Sequence, residues 1–136
     1  MDVAKLRPVE VIAVYQSGDG VIMVTDTDDV GTGVDAVAAL ENMRRTSPAV
    51  IYLDTAEYLI IGPGAEGEVE KIHRELKGSV KLCRFKGNID LKQVGQYLSV
   101  HGNLPYLKQW ETGTKLPTIT TERNRIKFLE NHGNDT

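Results

Sequence analysis

The stretch "YLIIGPGAEGEVEKIHREL", residues 58–76, decides how this chain is read. Tyr58–Ile61 is a short apolar run that ends on a glycine, which is the signature of a buried strand entering a turn. Beyond the turn, Val69, Ile72 and Leu76 recur on one side of a charged segment, the spacing of an amphipathic helix stopped by Gly78. A strand feeding a helix through a glycine turn is the building unit of an α/β fold. Gly62, Gly64 and Gly67 also spell G-x-G-x-x-G, the loop that cradles a dinucleotide pyrophosphate. Two neighbours oppose that chemistry. Pro63 removes one of the backbone N–H groups the cradle needs, and Glu66 puts a carboxylate where the phosphates would sit. Glu66 and Glu68 read instead as helix-start residues that complement the positive end of the dipole. The sequence therefore predicts a structural corner, with a small-ligand or nucleotide site at Gly62, Gly64 and Gly67 as the alternative.

Upstream, "VEVIAVYQ" and "GVIMVTDT" flank "SGDG", which predicts an antiparallel hairpin over residues 9–27. "DDVGTG" reads as a loop. Val34, Val37 and Leu40, joined by Met43 and Ala36, then recur at helical spacing, and Arg44 and Arg45 close that helix, complementing its negative end before "TSP". Gly31, Gly33 and Ala36 make a second fingerprint, G-x-G-x-x-A, with Asp54 further on as a ribose-binding acid. Asp26, Asp28 and Asp29 place negative charge against any phosphate there. "AVIYLDTAEYLIIG" gives two apolar runs around either a hairpin turn or a bend in one strand.

Downstream, "SVKLCRF" reads as a strand. In "NIDLKQVGQYLSV", Asp90 is a cap candidate and Leu91, Val94, Tyr97 and Leu98 keep helical spacing, weakened by Gly95. After His101, Pro105 and Pro117 interrupt any period, so residues 102–136 are expected to be irregular. Ile126, Phe128 and Leu129 fit a final helix or strand, and the last residues are expected to be disordered. The expected architecture is one α/β (α+β) domain over residues 1–136, with a mixed sheet of about five strands and two or three helices.

The chain has 136 residues and 40% apolar content, enough for one ordinary hydrophobic core. No apolar run approaches the roughly 18 residues of a membrane span. "MDVAKLRPVE" lacks a secretory signal, which predicts a cytoplasmic chain. Cys83 is the single cysteine and is expected in strand packing. His73, His101 and His132 are isolated, so neither a metal set nor a catalytic triad is nominated, and no cofactor is expected. "DTDDVG" resembles the start of a calcium loop but has Val30 and Val37 where the fifth and twelfth ligands belong. Net charge is −3, unevenly spread: residues 1–70 carry four Lys or Arg against thirteen Asp or Glu, and residues 71–136 carry twelve against six. The favoured explanation interleaves the two halves on one surface. The sharper one is self-association through opposed charge. Basic residues mixed with acids, without RNA-binding aromatics, argue against nucleic acid.

Ala39–Gly62, "ALENMRRTSPAVIYLDTAEYLIIG", runs helix, Ser-Pro, strand, polar break, strand, glycine. With the upstream hairpin, residues 8–86 in this order resemble the amino-terminal domain of the Ger(x)C proteins, the C subunits of spore nutrient-germinant receptors. The resemblance implies a non-enzymatic component of a spore membrane assembly whose business is protein contact. Members carry a lipoprotein signal with a lipidated cysteine and further domains, whereas Cys83 is internal. The resemblance thus implies an isolated domain, a shortened piece or a distant relative. It implies association with the spore inner membrane where a leader precedes the domain. It supplies no site residues. Function is therefore expected to be that of a protein-interaction or scaffold module, with Arg44, Arg45, Lys71 and Arg74 on the charged helices as partner-binding candidates.

Overall fold

The computed structural model describes residues 6–129; the expected disorder at the carboxyl end lies outside them. The elements in chain order are β1 (Leu6–Pro8), β2 (Val11–Ser17), β3 (Gly20–Thr25), β4 (Val30–Gly33), α1 (Ala36–Thr46), β5 (Val50–Tyr52) and β6 (Tyr58–Ile61). They continue with α2 (Glu68–Ile72), β7 (Lys81–Phe85), α3 (Leu91–His101), β8 (Thr118–Glu122) and β9 (Arg125–Phe128). Seven strands form one mixed sheet in the order β4-β3-β2-β6-β7-β8-β9, and β1 pairs with β5 in a small parallel ladder. β2, β6, β7 and β8 run parallel; the hairpins β2–β3 and β8–β9 supply the antiparallel edges. The mixed α/β class expected from sequence is observed, with more strands than expected among the described residues.

Strand alternation builds a core on each face of the sheet. Ile12, Val14, Leu59, Ile61 and Leu82 pack with Ala36, Ala39, Leu40 and Met43 of α1 and Val69 and Ile72 of α2. Val11, Ala13, Tyr58, Ile60 and Cys83 pack with Val94 and Leu98 of α3. Strands buried on both faces read as unbroken apolar runs, as "YLII" and "VIAV" do.

Four sequence expectations are corrected. "DDVGTG" is not all loop: its last four residues, Val30–Gly33, are the edge strand β4, paired with β3. The buried stripe of α1 is Ala36, Ala39, Leu40 and Met43, while Val34 lies before the helix and is 82% exposed. Small residues are needed on that face because α1 lies almost against the backbone of β4. A Cβ on Gly33 would sit 2.6 Å from both the Ala38 Cβ and the Ala39 N. Residues 102–129 hold a 3₁₀ turn, Leu107–Gln109, and the β8–β9 hairpin. Its turn is Arg123–Asn124, with φ of 52° and 64°, the paired positive φ values of a type I′ connection. "DTAE" proves to join strands of two different sheets.

Asp35 caps α1, accepting from the Ala38 N–H at 2.9 Å, and Asp90 caps α3, accepting from the Lys92 N–H at 3.0 Å. Asp29, 5% exposed, anchors the lower corner. It accepts from Arg7 Nη1 at 3.1 Å, Thr27 Oγ1 at 2.7 Å and Ser47 Oγ at 3.0 Å, tying β1, the β3–β4 connection and the end of α1 together.

Candidate functional site

The Gly62–Gly67 corner stands where the sequence put it, between β6 and α2, and two of its backbone donors, with that of Glu68 beyond it, are engaged internally. The Gly62 N–H donates to Val14 O at 2.8 Å, Ala65 N–H to Gly62 O at 3.2 Å and Glu68 N–H to Ala65 O at 3.0 Å. Pro63 contributes none. Gly62 is required by packing, since a Cβ there would meet Tyr15 Cβ at 2.6 Å and the Phe85 ring at 3.0 Å. Gly64 has φ +80° and Gly67 faces open space. Glu66 stays at the helix entrance and pairs there with Arg84 at 2.9 Å, both side chains exposed. Gly31 and Gly33, the second fingerprint, lie in β4 and let α1 approach it.

Beside the first corner, at the carboxyl ends of β2 and β7, lies an open cleft of ≈450 Å³ on the α3 side of the sheet. Tyr15 and Phe85 meet there edge to face at 6.2 Å, Ile89 and Leu91 line it from the β7–α3 connection, and Gln16 and Asn88 add polar residues to its lining. The carboxyl end of parallel strands is where open α/β sheets bind ligands. Tyr15 and Phe85 are 70 residues apart, and only the β2-β6-β7 order makes them neighbours. Two aromatic residues near the ends of separate apolar runs were the sole trace in the sequence.

The charged residues segregate along the sheet. Strands from the acidic half of the sequence form one side, β4-β3-β2-β6, and those from the basic half form the other, β7-β8-β9. The halves therefore do not interleave strand by strand. Ion pairs join them where they meet: Lys71 to Asp35 at 3.9 Å, Arg84 to Glu66, and Lys92 to Asp28 at 2.8 Å. Asp28 lifts the Lys92 ammonium above its ordinary pKa, chiefly through that hydrogen bond. Glu10, near Asp26 and Glu57 on the acidic side, is raised by partial burial and by those two carboxylates.

Of the basic residues singled out from sequence, Arg44 pairs with Glu75 at 3.7 Å, and Lys71 also reaches Glu68 at 3.8 Å. Arg45 and Arg74 are exposed. A denser basic surface lies elsewhere. Arg84, Lys86 and Lys115 line one cleft of ≈540 Å³ with Thr118 and Leu129. Cross-strand pairing sets Lys127 opposite Thr120 and Arg125 opposite Glu122, on the same face as Thr118. Arg125 and Lys127 alternate with Ile126 and Phe128, which was the period-two signal available in "RNRIKF".

Cys83 is buried, and burial pushes its thiol up to about 12, so it is unreactive as it stands. Among the described residues no group of three or more His, Cys, Asp or Glu converges to hold a metal, and no helix is long and apolar enough to cross a membrane. Comparison with protein-family models, curated proteins and solved structures finds no match.

Proposed function

We propose that this chain is a non-enzymatic protein-interaction domain that docks an acidic protein surface on the exposed face of β7-β8-β9. The observation that carries this reading is charge placement: Arg84, Lys86, Lys115, Arg125 and Lys127 share one face. Only two carboxylates pair with them there among the described residues, Glu66 with Arg84 and Glu122 with Lys127 at 3.1 Å. Side chains on adjacent strands are held at fixed spacing, so such a face recognises a complementary pattern of charge and gains both encounter rate and specificity from it. Arg44, Arg45, Lys71 and Arg74 are a secondary set, two of them already facing carboxylates. The resemblance to the Ger(x)C amino-terminal domain supports a spore germination assembly as the setting.

The test is an amide-shift titration with a short poly-glutamate peptide. Shifts are expected at residues 84–86 and 115–127, with affinity falling about tenfold between about 50 and 200 mM salt. Shifts spread evenly over the helices would overturn the reading. Tighter binding of a DNA duplex of equal charge would do the same. Concentration-dependent shifts without peptide, at both the basic face and Glu10 and Asp26, would replace the acidic partner with a second copy.

A further inference from the structure

We infer that the cleft between Tyr15, Phe85 and the β7–α3 connection is a binding site for a small, neutral, planar aromatic molecule. The inference is independent of the basic face, which lies on the opposite side of the sheet.

The cleft exists because α3 covers only part of its face. With eleven residues, α3 is about 16 Å long. It lies across the strands, from the start of β2, where Gly95 adjoins the carboxylate of Glu10, to β9, where the Tyr97 ring packs at a tilt against Phe128 at 5.6 Å. The carboxyl ends of β2 and β7 are left without a helix above them. Tyr15, Phe85, Ile89 and Leu91, which would otherwise be core residues, are only half-buried there. Four large apolar side chains around one concavity of ≈450 Å³ match the size and lining of small-molecule sites.

The lining selects the ligand's chemistry. None of the described residues lining the cleft is charged, and its polar lining residues are Tyr15, Gln16 and Asn88. A phosphate or carboxylate would lose its hydration there and gain no cation in return. A neutral ring would gain edge and face contacts from Tyr15 and Phe85, whose edge-to-face arrangement leaves a ring surface open to the cleft. Asn88, on the exposed connection, orients a polar ring substituent, since a carboxamide offers both a donor and an acceptor. Gly87, at φ +73°, turns the chain so that Asn88 and Ile89 return over the opening. This chemistry also separates the site from the nearby Gly62–Gly67 corner, where any ligand would have to be an anion.

Indole is a suitable probe, with indole-3-carboxylate as its charged counterpart, followed by amide shifts in the whole chain. Saturable shifts are expected at Tyr15, Gln16 and Phe85–Ile89, with the carboxylate binding about tenfold more weakly or not at all. Val24→Trp, which fills the cleft from its half-exposed floor position on β3, is expected to abolish binding while distant resonances stay in place. Should that variant not fold, Asn88→Leu on the exposed connection is expected to weaken indole binding by about three- to tenfold. Absence of saturable shifts up to about 5 mM indole, an affinity too weak to count as a site, overturns the inference. So does equal binding of the carboxylate, or binding unchanged in the folded variants.

Discussion

Replacing Gly31 with alanine adds one methyl group where α1 rests directly on β4. The new Cβ would overlap the Ala39 carbonyl oxygen and lie 2.8 Å from the Met43 Cβ and 2.9 Å from the Met43 backbone N. Two of those three atoms are backbone, so no change of rotamer relieves the overlap, and α1 must move off β4. Overpacking of this kind costs about 1–3 kcal/mol, and here the displaced helix carries Ala36, Ala39, Leu40 and Met43 from the core. An opposing term exists, because alanine restricts the unfolded chain and stabilises by about 0.4–1 kcal/mol wherever the native backbone accepts it. Gly31 is not among the positive-φ glycines, so this gain is available, but it is the smaller effect. The net expectation is a loss of about 2 kcal/mol, a fall in Tm of roughly 6–10 °C for a chain of this length. Urea unfolding followed by far-UV circular dichroism measures it. Gly67→Ala is the control: its Cβ would meet nothing within 4 Å and φ is −67°, so it should be neutral or slightly stabilising. A Gly31→Ala protein as stable as the control would refute the close seating of α1 on β4.

The Asp29 corner predicts an asymmetry between its partners. Arg7→Leu strands a carboxylate whose side chain is 4% exposed and should cost about 2–3 kcal/mol, whereas Asp29→Asn leaves an arginine that is 36% exposed and able to hydrate, costing less; chemical denaturation of both variants checks the order. Cys83, with its thiol held near 12, should resist iodoacetamide at pH 8 in the folded protein and react promptly in urea, as mass spectrometry would show. Rapid labelling of the native chain would mean that the α3 face opens far more readily than its packing implies.

Local patterns carried the hairpin, the Asp90 cap, the strand-to-helix corner at Gly62 and the buried position of Cys83. Each depends on residues within a few positions of one another, where backbone sterics, side-chain period and capping chemistry act directly. The sequence by itself thus determined the class of fold and the strand-to-helix corner at Gly62, where Pro63 and Glu66 act within the loop that contains them. Tertiary structure decided the rest. Gly31 reads as a loop residue until α1 is seen resting on it. The hairpin in residues 118–128 was hidden because its turn uses Arg123 and Asn124 in place of glycine. Tyr15 and Phe85 become one cleft, and Arg84, Lys115 and Lys127 one basic face, only through the strand order β2-β6-β7-β8-β9. That order is fixed by which apolar faces bury best against three helices, a property of the assembled core that no window of sequence contains.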